Sequence, residues 1–235
     1  MQHNRIEAAW KGPPQCRHCG IRDLVLFADL KEEDFALIHL PIDEQSFLPG
    51  QVLYHAGDTQ PALFTVREGL VKLVQYLPEG TQRIVRLLRQ GNMAGLEVLV
   101  GAPYAHTAIA LQPTLTCRIP RPVIERLSGE TPRLHAQLMR RWHQSLQQAD
   151  DWLTELATGN ARLRLARFLL QLTSADGNEV VYLPTRDDLG AILGTTMETA
   201  SRTVAEFRRQ GLIADVGDHL VKCRAADLEN VIGGG

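Results

Sequence analysis

The chain has 235 residues, of which 44% are hydrophobic and 22% charged, so it can bury the cores of two domains. Charged residues or glycine interrupt its apolar runs well short of a bilayer's thickness, and the N-terminus lacks a secretory pattern, so we expect a cytoplasmic protein without a membrane segment. Lysine and arginine number 25 against 27 aspartates and glutamates, which gives a formal charge of -2. This balance excludes a global positive field, so any contact with nucleic acid must depend on local basic clusters.

The first 28 residues are predicted to form a polar segment that carries two cysteines, Cys16 and Cys19. Four cysteines in a cytosolic chain of this size do not suggest a disulfide framework. A C-x-x-C pair alone is a weak metal signal. A structural or interaction protein with zinc at Cys16, His18 and Cys19 is therefore an alternative, although a second cysteine pair at zinc-ribbon spacing is missing.

Residues 29–131 are predicted to form an antiparallel β-roll. A short helix running through Glu32 to Ile38, capped by Asp29 or a neighbour, comes first. Short β-like runs separated by glycines follow, at Phe47 to Tyr54, Ala62 to Val66, Leu70 to Tyr76, Ile84 to Leu88 and Thr114 to Ile119.

Residues 132–157 have a helical period of apolar residues, which predicts a dimerisation helix. The repeating positions are Leu134, Leu138, Trp142, Leu146, Ala149, Leu153 and Leu156. A helix that packs on its own domain shows a similar stripe, so the pattern leaves both readings open. Its place between the predicted β-roll and the elements that begin at residue 158 favours dimerisation.

Residues 158–235 are predicted to form a winged helix-turn-helix. A well-buried helix from Asn160 to Thr173 leaves a narrow polar strip of Arg164, Arg167 and Gln171. A strand at Glu179 to Leu183 precedes the helix-turn-helix, and the segments Leu212 to Ala214 and His219 to Cys223 flank a turn and form the wing.

The two helices of the reading unit lie between Leu183 and Ile213. Thr185 is the expected N-cap of the first helix, Gly194 ends it, and Thr195 is the expected cap of the second. Helical spacing puts Ala200, Val204 and Phe207 on one face of the second helix, which we expect to be buried.

The opposite face of this second helix carries Glu198, Ser201 and Arg202. Arginine donates two hydrogen bonds to guanine, and glutamate accepts from the cytosine amino group. Thr196 and Thr199 are placed to donate their hydroxyls to the DNA backbone. The alternative is a helical hairpin with a solvated polar face, but the order of the other elements favours DNA.

This order of elements, together with the runs FLPGQVLYHAGD, LFTVREGLVKL and METASR, resembles the Crp/Fnr family of bacterial transcription regulators. The resemblance implies an α+β chain with an N-terminal cyclic-nucleotide-binding-type β-roll, a long dimerisation helix and a C-terminal winged helix-turn-helix. It also implies a homodimer that binds palindromic double-stranded DNA with TTGA-like half-sites and contacts RNA polymerase. In the Fnr branch the arrangement E-x-x-S-R reads the half-site, and Glu198, Ser201 and Arg202 match it.

Family members that bind cyclic AMP carry an arginine followed by serine or threonine. The matching stretch here, Gly95 to Thr107, has His106 before Thr107 and no arginine at that point, which argues against a cyclic AMP ligand. The run CRHCGIR and Cys117 resemble the Fnr-type oxygen sensor, so Cys16, Cys19 and Cys117 are candidate ligands of an iron-sulfur cluster. Val25 stands where the fourth cysteine would be, and the candidates to replace that ligand are His18, Asp23, Asp29 and His106. Cys223, in the wing, is predicted to be too distant.

Haem, or nitric oxide acting through haem, is the second sensing hypothesis, based on His106, His135 and His143. A Crp/Fnr-type regulator without a cofactor is a further alternative. No phosphate-binding glycine loop, nucleophile elbow or HExxH helix is present, so the sequence does not predict an enzyme. If a cofactor binds near the cysteines, we expect its state to change how the two reading helices are spaced.

Overall fold

The computed structural model describes residues 26–38, 40–176 and 179–233. The chain divides into two compact units. One contains the described residues up to 75 and residues 86–147, and the other contains residues 76–85 and the chain from 148 onward. Within the described ranges, no helix is both long enough and apolar enough to cross a membrane.

Two antiparallel four-stranded sheets form the β-roll. Their strands are β1 (Asp43–Phe47), β2 (Val52–Tyr54), β3 (Ala62–Glu68), β4 (Val71–Tyr76), β5 (Gln82–Leu88), β6 (Met93–Ala94), β7 (Thr107–Ala110) and β8 (Thr114–Pro120). The strand orders are β1-β8-β3-β6 and β2-β7-β4-β5. Leu63, Phe64 and Val66 on β3 are all buried, as expected for a strand covered on both faces.

Several predicted elements of the roll differ from the observed ones. The run from Phe47 to Tyr54 contains only the last residue of β1 and the whole of β2, which belong to different sheets and are separated by a turn at Gly50. The short helix is a 3-10 helix at Glu32–Leu37 whose N-cap is Lys31, not Asp29. The sequence reading missed β6, β7, a 3-10 helix at Leu96–Val100 and α1 (Arg121–Glu130), most of which are too short to show a clear period.

The long helix, α2, spans Pro132–Asp151 and continues into a π-helical turn at Trp152–Leu156. Leu134 and Leu138 are 0% and 6% exposed, so they pack within their own unit and do not belong to a free seam. Leu156 is also buried. The exposed apolar stripe of α2 instead consists of Met139, Trp142 and Leu146, which are 51%, 38% and 58% exposed. Periodicity gave the helix correctly, but it could not separate the residues that face the core from those that face outward.

A buried carboxylate joins the start of α2 to the 3-10 helix. Asp34 is 4% exposed, and its two oxygens accept hydrogen bonds from Arg133 Nη2 at 2.8 Å. Thr131 Oγ1 donates to the same carboxylate at 2.9 Å, and the Lys31 amide donates at 2.7 Å. Burial by itself raises the pKa of Asp34, but the hydrogen bonds from Arg133, Lys31 and Thr131 outweigh it and lower the pKa below its usual value.

Replacing Asp34 with alanine should lower the free energy of unfolding of this unit by about 2–3 kcal/mol, since Arg133 and Thr131 lose their acceptor. Because the pKa is lowered in the fold, the stabilisation is present above the ordinary aspartate pKa and disappears as the pH falls through the lowered value. The measurement is the urea midpoint of wild type and of Asp34→Ala at neutral and at acid pH. The difference between the two midpoints should be smaller at acid pH. The exposed Glu125, paired with Arg121, supplies the control, and Glu125→Ala should change stability by less than about 0.5 kcal/mol. Equal midpoints for Asp34→Ala and wild type at pH 7 would contradict this role.

The second unit contains the remaining helices and a three-stranded antiparallel sheet. Its elements are α3 (Ala161–Asp176), β9 (Val180–Tyr182), α4 (Arg186–Leu193), α5 (Met197–Arg209), β10 (Ile213–Gly217), β11 (Leu220–Cys223) and α6 (Ala225–Gly233). Leu165, Phe168 and Leu169 of α3 are buried, in agreement with the expectation of a well-covered helix. The sequence reading missed α6, which packs against α3. The α+β fold class, with a β-roll, helices and a helix-turn-helix, is confirmed.

Candidate nucleic-acid interface

The two helices α4 and α5 meet through a tight turn. The Thr185 side chain caps α4 by accepting a hydrogen bond from the Asp188 amide at 3.2 Å, as predicted. Gly194 ends the helix with a left-handed φ of 61°, which glycine adopts without strain. A Cβ added at Gly190 would lie 2.9 Å from the Thr195 carbonyl oxygen. A glycine at position 190 therefore lets the second helix approach the first closely.

The N-cap of α5 is Thr196 and not Thr195 as expected from the sequence. The Thr196 hydroxyl oxygen accepts a hydrogen bond from the Thr199 amide at 3.2 Å. Two consecutive threonines each satisfy the capping preference, so the sequence alone could not choose between them.

The faces of α5 are those expected from the sequence. Ala200, Val204 and Phe207 are 0% exposed and pack into the unit. The side chains of Glu198, Ser201 and Arg202 are exposed on the other side of the helix. Arg162 of α3 forms an ion pair with Glu206 and lies over the Phe207 ring at 5.3 Å, which holds the buried face in place.

The charges of the exposed face are suited to hydrogen bonding with bases. Hydrogen bonds from its own backbone amide and from Thr196, together with the charge of Arg202, lower the pKa of Glu198. Glu198 therefore stays an ionised acceptor at neutral pH. Thr196 Oγ1 and Thr199 Oγ1 lie 3.2 Å apart, and Arg202 Nη2 lies 3.4 Å from Thr199 Oγ1. The predicted contact residues thus form one group at the amino end of α5.

The basic side chains on and near α5 are partly neutralised within the protein; they are Arg202, Arg208, Arg209, Lys222 and Arg224. Three of them form ion pairs, namely Arg208 with Asp215 at 2.7 Å, Lys222 with Glu179 at 3.1 Å and Arg224 with Asp227 at 3.7 Å. No carboxylate among the described residues lies within ion-pair distance of Arg202. The guanidinium of Arg202 is therefore available to an outside partner.

A groove of about 470 Å³ lies between the start of α4 and the wing. Arg186, Arg208 and His219 are among its lining residues, and His219 has a φ of 56° at the turn of the wing. The sequence reading placed His219 in a strand and did not single out Arg186. The signal for Arg186 was its place at the first position of a capped helix.

The candidate cofactor ligands are only partly within the described residues. Cys16, His18, Cys19 and Asp23 lie outside them. Cys117 lies on β8, partly buried, opposite Glu44 on β1 and Thr65 on β3. Across the described ranges, no three metal-ligating side chains come together.

The remaining candidate ligands, which lie within the described residues, differ in their contacts and in their burial. Asp29 forms an ion pair with Arg140. His106 is half-buried, and burial together with the charge of Arg86 lowers its pKa, which Glu97 partly opposes. His135 and His143 are exposed on α2. Burial raises the pKa of Cys223 to about 11, so this thiol stays protonated at neutral pH.

The interior of the roll near Gly95 is filled by aromatic side chains. The rings of Tyr54 and Tyr104 stack with centroids 3.8 Å apart, and the Tyr104 hydroxyl donates to the Ala62 carbonyl at 2.6 Å. The carboxylate of Glu97 accepts from the Ala105 amide at 2.8 Å, and Thr107 Oγ1 accepts from the Ala56 amide at 3.1 Å. The polar groups of this region are thus bonded within the chain.

Comparisons with known proteins agree with this geometry. The cyclic nucleotide-binding domain family matches residues 44–130, and the Crp-like helix-turn-helix domain family matches residues 163–231. The chain is 28% identical over 225 residues to the fumarate and nitrate reduction regulatory protein of Vibrio cholerae, covering 93% of this chain and 90% of that protein. It is also 28% identical to an anaerobic regulatory protein of Aggregatibacter actinomycetemcomitans, covering 93% and 88% of the two chains.

The fold is similar to that of FixK2 from Bradyrhizobium japonicum, with a TM-score of 0.72 and 25% identity over 81% of this chain and 96% of that chain. A β-roll followed by a winged helix-turn-helix, together with these similarities, defines a DNA-binding transcription regulator, which is not an enzyme. The chain belongs to the Crp/Fnr family of these regulators.

Proposed function

We propose that the protein reads palindromic DNA with TTGA-like half-sites through Glu198, Ser201 and Arg202, with Thr196 and Thr199 contacting the backbone. The observation that carries this proposal is the exposed guanidinium of Arg202, on the same helix face as the ionised Glu198. Arginine paired with guanine and glutamate paired with cytosine fit the two strands of such a half-site. In this proposal residues 29–131 form the sensor domain, residues 158–235 bind DNA, and the protein acts in the cytoplasm, where it contacts RNA polymerase.

We further propose a homodimer whose contact is the stripe of Met139, Trp142 and Leu146, within the helix predicted at 132–157. The spacing of three and four residues is that of a coiled-coil seam, and an exposed apolar seam of this kind is costly in water. A second copy of the chain covers it with the same residues. Two copies also supply the two reading helices that a palindrome requires.

Arg202→Ala should weaken binding to a TTGA palindrome by about 1–3 kcal/mol and relax the choice of base at the guanine, since the bidentate contact is lost. Fluorescence anisotropy at fixed salt, on the palindrome and on duplexes altered at the guanine, measures both effects.

The matched control is Arg126→Ala, which removes one charge from an exposed pair with Glu130 in the other unit. It should bind as the wild type does. If Arg202→Ala loses only nonspecific affinity and keeps its base preference, the proposed reading role is wrong.

Leu146→Glu should convert the dimer to monomers, because it places two like charges in an apolar contact. Light scattering measures the mass, and palindrome binding should weaken at least about tenfold. Gln144 lies about 200° around the helix from Leu146, so Gln144→Glu adds the same charge away from the stripe and should stay dimeric. A dimeric Leu146→Glu protein would refute the proposed interface.

We propose that the signal is oxygen or redox state, sensed through Cys16 and Cys19 with Cys117. The names of the two relatives, which refer to anaerobic regulation and to fumarate and nitrate reduction, support this class of signal. The described residues contribute one of the three thiolates, Cys117, and the Asp29 carboxylate is engaged with Arg140. An iron-sulfur cluster on this set would be held mainly by the segment that contains Cys16 and Cys19. Cyclic AMP does not fit this proposal, because His106 stands before Thr107 where family members that bind cyclic AMP carry an arginine.

Anaerobically purified protein should show the broad visible absorption of an iron-sulfur cluster and contain iron, and Cys16→Ser should lose both. Cys223→Ser is the matched control, since this thiol lies in the wing, and it should retain both. A sharp Soret band would favour haem, zinc alone would favour the structural alternative, and either result would overturn the cluster.

A further inference from the structure

The end of the dimerisation helix has an unusual geometry. The turn from Trp152 to Leu156 is π-helical, a form that occurs mostly as single turns and frequently at functional sites. Thr154 Oγ1 donates to the Asp150 carbonyl at 3.0 Å, and Thr158 Oγ1 donates to the Thr154 carbonyl at 2.5 Å. The last carbonyls of a helix have no partner within it, so this end needs donors from elsewhere.

Arg167 of α3 supplies those donors. Its Nη1 lies 3.1 Å from the Glu155 carbonyl oxygen, 3.2 Å from the Thr158 carbonyl oxygen and 3.1 Å from Thr158 Oγ1. One turn further along α3, Gln171 Nε2 donates to the Glu155 carboxylate at 2.6 Å. Residues four apart share a helix face, so two side chains from one face of α3 form hydrogen bonds with the π-helical turn.

The connection between the π-helical turn and α3 is short, and local contacts restrict its conformation. Gly159 has a left-handed φ of 84°, and an added Cβ there would lie 2.6 Å from Leu163 Cδ2. The Asn160 side chain caps α3 by accepting from the Leu163 amide at 2.9 Å. With the loop fixed at both ends, the bonds of Arg167 determine the angle between the π-helical turn and α3.

The same helix also holds the reading unit. Arg164 Nη1 donates to the Leu193 carbonyl at the end of α4, and Arg162 forms its ion pair with Glu206 of α5. The buried face of α3 packs in the core of this unit through Leu165, Phe168 and Leu169. Any rotation of α3 relative to the π-helical turn therefore carries the reading helix with it.

We propose that Arg167 is a positioning residue that fixes the direction of the reading helix relative to the end of the dimerisation helix, and so sets the half-site spacing that the dimer accepts. This inference rests on the proposed dimeric reading of a palindrome. One base pair changes the half-site separation by about 3.4 Å and rotates one site by about 34°. If the bonds of Arg167 hold the angle between the π-helical turn and α3, a changed spacing weakens DNA binding. If those bonds are lost, the angle can adjust and the changed spacing is bound with a smaller loss of affinity.

The test uses the full-length protein and three palindromes with two TTGA half-sites. One has the half-site spacing that wild type binds most tightly, and the others are one base pair shorter and one base pair longer. The measured quantity is the ratio of the affinity for the preferred spacing to the affinity for the altered spacings, and in wild type it should exceed one. In Arg167→Ala this ratio should fall by about fivefold, because the carbonyls lose their donor and the angle becomes variable. Arg126→Ala, which removes an equal charge, should keep the wild-type ratio.

The spacing ratio separates positioning from stability. A purely structural role would lower the melting temperature and affect all spacings equally, so an unchanged ratio in Arg167→Ala overturns the inference. If Arg167→Ala does not fold, Arg167→Lys decides: it keeps the charge but replaces the guanidinium whose Nη1 donates to the Glu155 and Thr158 carbonyls, and its ratio should fall by about twofold. An unchanged ratio in the lysine variant overturns the inference as well. If wild type itself shows no preference over scrambled duplex, the proposed reading function fails, and that result is visible before any variant is measured.

Discussion

The burial of one face of α5 is the constraint on which the rest of the site depends. Ala200, Val204 and Phe207 lie fully inside the second unit, and Arg162 reinforces that side through Glu206. A helix buried along one stripe has no freedom to rotate about its axis, because rotation would expose apolar area at about 25 cal/mol per Å². Glu198, Ser201 and Arg202 therefore project outward as a fixed group. These three side chains can face a partner only because packing of the opposite face of α5 keeps the helix in one orientation.

Around this helix, several cations are matched by carboxylates of the protein itself. Arg208, Lys222 and Arg224 are matched by carboxylates of their own unit, while Arg202 lies beside Glu198 on the exposed face. This explains how a chain with a formal charge of -2 can belong to a DNA-binding family. Local geometry, and not total charge, decides which cation can bind a base.

Several arginines in this protein donate hydrogen bonds that connect one element to another, to backbone carbonyls or to a buried carboxylate. Arg167 donates to carbonyls at the end of the preceding helix, Arg164 donates to the carbonyl that ends α4, and Arg133 binds the buried Asp34. In the sequence, Arg164 and Arg167 are a polar strip on an apolar helix and look like a solvated edge. In the fold, they connect α3 to the elements on either side of it. Donors with planar, multiple N–H groups suit this task, because helix ends present several carbonyls close together.

The sequence by itself determined that α2, α3, α4 and α5 are helices and which face of α5 is buried, because these follow from the period of apolar residues and from local capping by Thr185 and Gly194. It also gave the exposed triad of Glu198, Ser201 and Arg202. The tertiary structure decided that Leu134 and Leu138 belong to the core while Met139 faces outward, that Thr196 caps α5, and that Arg167 bonds the π-helical turn. Period shows that a face is apolar, but it does not show what covers that face. Contacts between residues distant in the chain answer that question, and they exist only once the elements have packed.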